Sequence, residues 1–411
     1  MESPLNPAIF RYLFNVAVGG LSVASFFSVY HQMYDMQSSM STFFKRLDAE
    51  KNEEGKVAIL HEILGRLQSD AIKKEFSSRL STSKHGSSLV KLVKLAKDES
   101  NAESVSISLK VLVRVFSADA EGRQALYRLN AYKVLLSSLS EAHRQGNQNL
   151  MEEIADALKN LTRVDDEMVV LDTDVPKGSE GAYALAKMPA TVKMLRIIDI
   201  ESPILFLSAL TGIFANICTL NIGAVNVGKG TDGYSGISFF FRLLEHNNHS
   251  IIENCVKAIN YMTRAEVGLE EASTKENIER LADILRVNME STIINHILTT
   301  ILTMTGSRKY REPFLTHFIS SVIPQRLFEL WTRSPEKSIR NRAEMLCRLL
   351  SHIPLSASKI SALLDRYRIE IADRRHKDEQ EHQQKMQQMQ QNQFMQRMMM
   401  EQMGIDPFSM G

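Results

Sequence analysis

From about Lys56 to Pro354, apolar residues recur three and four positions apart in stretches of roughly 8 to 16 residues, the spacing of one helix face. No stretch alternates as a half-buried strand would, so the pattern predicts an all-α body. One short pattern recurs in it: Val111-Leu-Val-Arg-Val, Ala157-Leu-Lys-Asn-Leu, Ile213-Phe-Ala-Asn-Ile, Ala258-Ile-Asn-Tyr-Met, Ile297-Leu-Thr-Thr-Ile and Met345-Leu-Cys-Arg-Leu. The copies are about 40 to 55 residues apart, a period that belongs to stacked helical repeats. Each follows a leucine-rich segment and a polar turn, clearest in FFFRLLEHNNHSIIENCVKAINYM at 239–262. Neither helix of such a pair buries its apolar face alone, so neighbouring units must stack into a right-handed superhelix with a shared core.

The ends depart from this pattern. Tyr12 to Tyr30, YLFNVAVGGLSVASFFSVY, runs about 19 residues without a charge, near the minimum that spans a bilayer. Residues 1–35 are therefore expected to form a membrane anchor. The alternatives are a buried first helix and a cleaved secretory signal, although a signal would carry a basic leader and a shorter apolar region. Lys45, Arg46 and Lys51 follow the span and Arg11 alone precedes it, so the positive-inside tendency puts the body in the cytosol. Residues 36–55 are expected as linker and 56–355 as the repeat domain. A helix over 356–385 then leaves the core as charge and glutamine replace leucine. The Met/Gln-rich tail, 386–411, is either a docking arm or disordered.

Charge adds little at the level of the whole chain: 49 basic residues balance 48 acidic ones, which argues against nucleic acid as a partner. Cys218, Cys255 and Cys347 lie far apart in apolar surroundings, as buried free thiols do, and lack the close pairs of zinc or redox sites. The sequons Asn160-Leu-Thr and Asn248-His-Ser read as chance matches in a cytosolic body. The stretch GAVNVGKGT, Gly223 to Thr231, nearly spells a phosphate-cradling loop, but Gly230 stands where a hydroxyl must hold the metal and a helix precedes it instead of a strand. It is expected to be a connector whose glycines let the chain turn. Enzyme motifs are lacking too, with no His-Glu-x-x-His and no G-x-S-x-G; no catalytic, cofactor or metal residues are assigned and the chain is read as no enzyme.

Ala155-Asp-Ala-Leu-Lys-Asn-Leu161 resembles the last-helix pattern of armadillo repeats, and the other copies match it in part. The resemblance covers about 300 residues and implies an armadillo-like α-solenoid whose last helices line a groove. Peptide-binding members of the family place an asparagine there and a tryptophan four residues earlier. In this chain the asparagine positions read Arg114, Asn160, Asn216, Tyr261, Thr300 and Arg348, and the earlier positions Lys110, Asp156, Gly212, Lys257, His296 and Glu344. No tryptophan is among them, since Trp331 lies in another helix. Candidate groove residues are Asp156, Asn160, Asn216, Lys257, Tyr261, His296 and Thr300. The two asparagines either clamp a peptide main chain, or are simply solvated or bond an adjacent helix. Asp165, Asp166, Glu167, Asp172 and Asp174 form a candidate acidic patch for a basic helix, or a solvated connector.

An anchor, a cytosolic repeat body and no catalytic apparatus together resemble the armadillo-repeat receptors of the archaic, kinetoplastid type of outer mitochondrial membrane translocase. That resemblance implies a receptor in the outer mitochondrial membrane that binds precursor proteins by their presequences and works with the other translocase subunits. An endoplasmic reticulum membrane is the alternative location. The alternative functions are a chaperone cofactor of the nucleotide-exchange type and a structural membrane tether.

Overall fold

The computed structural model describes residues 42–67, 102–116, 120–164, 175–196, 201–230 and 235–402. These residues are helical between short turns, and no β-sheet occurs among them. The chain divides into two compact units, Met1–Asn226 and Val227–Gly411.

In the first unit, residues 42–49, within the stretch expected as linker, form helix α1 with Phe43, Phe44 and Leu47 buried. Burial of two adjacent phenylalanines outweighs the charged residues around them, which stay on the wet face. Then follow α2 (Glu53–Arg66), α3 (Ala102–Phe116), α4 (Ala120–Arg128), α5 (Ala131–Gln145), α6 (Gln148–Leu161), α7 (Glu180–Ala186), α8 (Pro189–Lys193) and α9 (Ile204–Cys218). Helices α2, α3, α6 and α9 pack side by side in that order, and α4, α5 and α7 pack behind them. Leu60, Leu109, Ile154, Leu158, Ile213 and Phe214, each at most 1% exposed, form the continuous core between them. Each such side chain contributes about 1.5–3 kcal/mol on burial, which an isolated helix pair could not obtain.

Helix α10 (Asn221–Lys229) carries the boundary between the units. It includes the glycines expected in a connector loop, so that expectation is corrected: Gly223 to Lys229 is helical and Gly228-Lys229 is its last turn. Buried Ala224 and Val227 secure the segment against its glycine content. Only at Gly230, with φ +67°, does the chain take the left-handed conformation that glycine adopts without strain.

The second unit contains α11 (Gly236–Leu243), α12 (His249–Arg264), α13 (Leu269–Ala272), α14 (Lys275–Ile284), α15 (Ser291–Gly306), α16 (Arg311–Ser320), α17 (Ile323–Arg333), α18 (Lys337–Ser351), α19 (Pro354–Arg366) and α20 (Arg368–Gln402). Here α12, α15 and α18 pack side by side in the same manner, with α11 and α17 behind. Asn248 caps α12 by accepting from the Ile251 N–H at 3.2 Å, which gives that sequon asparagine a structural use. Asn147 caps α6 likewise, from Leu150 N–H at 3.1 Å. Tyr367 breaks the expected carboxyl-terminal helix, and α20 continues through the Met/Gln-rich segment as far as Gln402.

Candidate functional site

The repeated pattern lies on the side-by-side helices of each unit: α3, α6 and α9 in the first, α12, α15 and α18 in the second. In the first unit these helices enclose a cleft of about 400 Å³ lined by Leu109 and Lys110 of α3, Glu152, Glu153, Asp156 and Lys159 of α6, and Leu205, Ser208 and Ala209 of α9. Its floor is aliphatic and its rim is charged. Leu205 and Ile204, in the first turn of α9 beyond Pro203, are 71% and 52% exposed, an apolar pair that covers nothing in this unit.

The charges on the rim are unequally matched. Glu153 accepts from Ser106 Oγ at 2.7 Å and lies 3.5 Å from Lys110 Nζ, so it is neutralised within the unit. Glu152 and Asp156, four residues apart and so on one side of α6, have no ion pair among the described residues. Lys159 crosses from α6 onto α9, where its stem occupies the space that a side chain at residue 212 would take. Gly212 thus stands where peptide-binding armadillo helices have tryptophan, and a lysine stem fills that place.

The two asparagines are used inside the unit. Asn160 Nδ2 donates to the Asp156 carbonyl of its own helix at 2.8 Å. Asn216 Nδ2 donates to Lys159 O at 3.1 Å and to Thr162 Oγ1 at 3.4 Å, tying α9 to the end of α6. Asn216 thus bonds an adjacent helix, whereas Asn160 bonds only its own.

In the second unit Tyr261 is 3% exposed and Thr300 2%, so neither presents a surface to a ligand. The Tyr261 ring lies 6.2 Å from that of His296, and Thr300 Oγ1 donates to His296 O at 3.0 Å. His296 Nδ1 is 3.0 Å from Nδ2 of Asn260, itself 2% exposed. Lys257 of α12 is half-buried. Asp156 therefore lines the cleft of the first unit, while Tyr261, His296 and Thr300 serve the seam between α12 and α15. Asp165, Asp166, Glu167, Asp172, Asp174 and the predicted membrane span lie outside the described residues.

Among the described residues no group of three or more histidine, cysteine or carboxylate side chains is arranged to hold a metal ion, and no helix is long and apolar enough to cross a membrane. Cys218, Cys255 and Cys347 are buried and unpaired, and burial pushes each thiol far above its ordinary pKa, which leaves them unreactive.

No protein-family model matches the chain, and no curated protein does. A chain from the structure on the phosphorylation switch that controls the interaction between cadherin and β-catenin superposes with a TM-score of 0.55 at 14% identity, over 75% of this chain and 60% of that one. The fold is armadillo-like. Designed armadillo repeat proteins also match: one gives a TM-score of 0.47 at 17% identity, and one in complex with the peptide (KR)4 gives 0.47 at 16%. Each covers 63% of this chain and 98% of its own. The armadillo-like fold agrees with the repeat read from the sequence.

Proposed function

We propose that this chain is a receptor that holds a segment of another protein in the cleft between α3, α6 and α9. The unmatched carboxylates of Glu152 and Asp156 beside exposed Ile204 and Leu205 carry the reading, because together they suit a helix with a basic side and an apolar side. Mitochondrial presequences have that chemistry. The full proposal is a protein tethered through Tyr12 to Tyr30 to the outer mitochondrial membrane, with its repeats in the cytosol, that passes precursor proteins to a translocase. The uncharged amino-terminal run and the basic residues after it support the tether.

The test is binding of a fluorescent presequence peptide to the full chain in mild detergent, at low and high salt. Binding is expected to weaken with salt, and Asp156→Lys and Glu152→Lys should each lower affinity about tenfold, the equivalent of 1.4 kcal/mol. Equal affinity in both variants would remove the cleft from the account. Fractionation tests the tether separately: a carbonate-resistant mitochondrial protein whose carboxyl-terminal tag is digested without detergent supports it, and a soluble or protected one refutes it.

A further inference from the structure

Helix α20 is held to the second unit through its first turns alone. Ile371 is buried and Asp378 accepts from Arg340 Nη2 at 2.7 Å, whereas every side chain from Glu379 to Met395 is exposed. The large side chains of this outer stretch do not make one stripe. Met386 and Met389 lie on one side of the helix, Met395 lies on the opposite side and Phe394 between them. A helix that docks by an apolar face keeps such residues together. The side with Met386 and Met389 also carries His382. The three are spaced i, i+4 and i+7, which puts them within about 60° of one another round the helix.

None of these three side chains has a hydrogen-bond or ion-pair partner among the described residues. Neighbours at i, i+3 and i, i+4 have Cβ atoms about 5–6 Å apart. Helical side chains lean toward the amino terminus, so both thioethers lean toward the imidazole. His382 and Met389 are about 10.5 Å apart along the axis, with Met386 between them, and an ion beside Met386 is within reach of both. The donors are one imidazole nitrogen and two thioether sulfurs, all uncharged. Zinc takes thiolate, imidazole or carboxylate, and calcium and magnesium take oxygen. Thioethers select soft ions, of which Cu(I) is the biological example.

We propose that His382, Met386 and Met389 form a site for one soft monovalent ion of the Cu(I) class on the outer part of α20. The ion clamps two turns of a helix that has no packed neighbour there, a setting in which helices in water are marginal. This site is independent of the cleft in the first unit and of the reading given to it.

The experiment uses the full chain in mild detergent with ¹³C-labelled methionine methyls. It is titrated with Ag(I), a stand-in for Cu(I) that needs no reductant, then with Cu(I) under nitrogen, and separately with Zn(II). The methyl resonances of Met386 and Met389 are expected to move together, with one midpoint, under Ag(I) and Cu(I) and to stay in place under Zn(II). Met386→Leu and Met389→Leu, each read through the methionine that remains, and His382→Gln should weaken binding about tenfold or more, since loss of even a supporting contact costs a metal site that much. Leucine and glutamine are good helix formers, so the variants keep the parent helix content, which circular dichroism checks alongside. Met395→Leu, on the opposite side of the helix, should leave the midpoint unchanged. The proposal is overturned if the two methyls respond to neither soft ion, if they respond with separate midpoints, or if Zn(II) moves them as Ag(I) does. It is also overturned if the three variants keep the parent affinity, or if Met395→Leu loses as much as they do.

Discussion

The side chain of Lys159 lies across Gly212: a Cβ at residue 212 would stand 2.9 Å from Lys159 Cε and 3.0 Å from its Cδ. One residue of α6 thus occupies the ladder position that α9 leaves empty, and brings a second ammonium group, beside Lys110, to a rim that carries three carboxylates. Gly212→Ala separates these effects. Its methyl meets only the far half of a flexible side chain, which can swing into solvent, while alanine in a helix interior is favoured over glycine by about 0.8–1 kcal/mol. The melting temperature should stay level or rise, and affinity for a basic peptide should increase as the ammonium leaves the rim. A loss of stability above about 2 kcal/mol would show that the lysine stem is fixed in place.

Glu152 and Asp156 set like charges one turn apart on α6, an arrangement that costs an isolated helix about 0.2–0.5 kcal/mol. Glu152→Gln is therefore expected to stabilise the protein by a few tenths of a kcal/mol and to weaken basic-peptide binding. Opposite signs in thermal melts and in titrations would mark these carboxylates as retained for a ligand. If the variant lost stability as well, Glu152 would have a structural task.

The repeat was legible because the last helix of each unit repeats its apolar face: in Ala155 to Leu161 the apolar residues are all buried, while Asp156 is exposed and Lys159 and Asn160 are half-buried. What the sequence could not supply was the partner of each polar side chain. Asn160 and Asn216 have the same pattern around them, yet one bonds its own helix and the other reaches across to α6. That difference depends on how α9 approaches α6. Tyr261 was placed in the groove by its register, but the close packing of α12 on α15 buries it. The segment Gly223 to Lys229 was misread because glycine usually marks a turn, whereas burial of Ala224 and Val227 makes it helical. Leu205 was missed at the cleft, with exposed Ile204 next to it; the available signal was an apolar pair directly after Pro203, where a first helical turn has no earlier turn to cover it.

Asn248 offers a test of local structure against chemistry. Its side chain closes the first turn of α12 by accepting from Ile251 N–H, and the sequon it belongs to would place a glycan on the same amide. Asn248→Ala should cost about 1 kcal/mol and Asn248→Asp, which keeps the acceptor, much less. Equal losses in urea titration would mean that the cap contributes little.

The first turns of α20 are held to the second unit by acid-base pairs whose strength depends on pH. Asp378 Oδ1 accepts from Arg340 Nη2 at 2.7 Å and from Arg374 Nη2 at 2.8 Å, and Arg340 is only 3% exposed. Burial alone would raise the Asp378 pKa, but the hydrogen bonds and charges of the two arginines hold it below the ordinary carboxylate value. Glu370 is lowered chiefly by its hydrogen bonds from Arg333, whose Nε and Nη2 each donate at 3.1 Å. Both folded-state values are depressed, so the stabilisation is complete above the unfolded carboxylate range near 4 and is lost as pH falls through the folded values. Acid should therefore release α20 before the repeats melt. Trp331, the single tryptophan of the chain, is 5% exposed with Arg375 of α20 5.9 Å above its ring, so its emission reports that contact. Below about pH 4 the emission should shift to the red while helical circular dichroism persists. Asp378→Asn should cost about 1–3 kcal/mol, limited by the bonds Arg340 keeps to the Ser334 and Pro335 carbonyls. It should also move the red shift toward neutral pH, whereas Glu381→Gln, at the exposed 3.6 Å contact to Arg374, should leave the curve in place. A tryptophan signal that changes only together with helix content, in wild type and variant alike, would show that α20 and the repeats unfold as one.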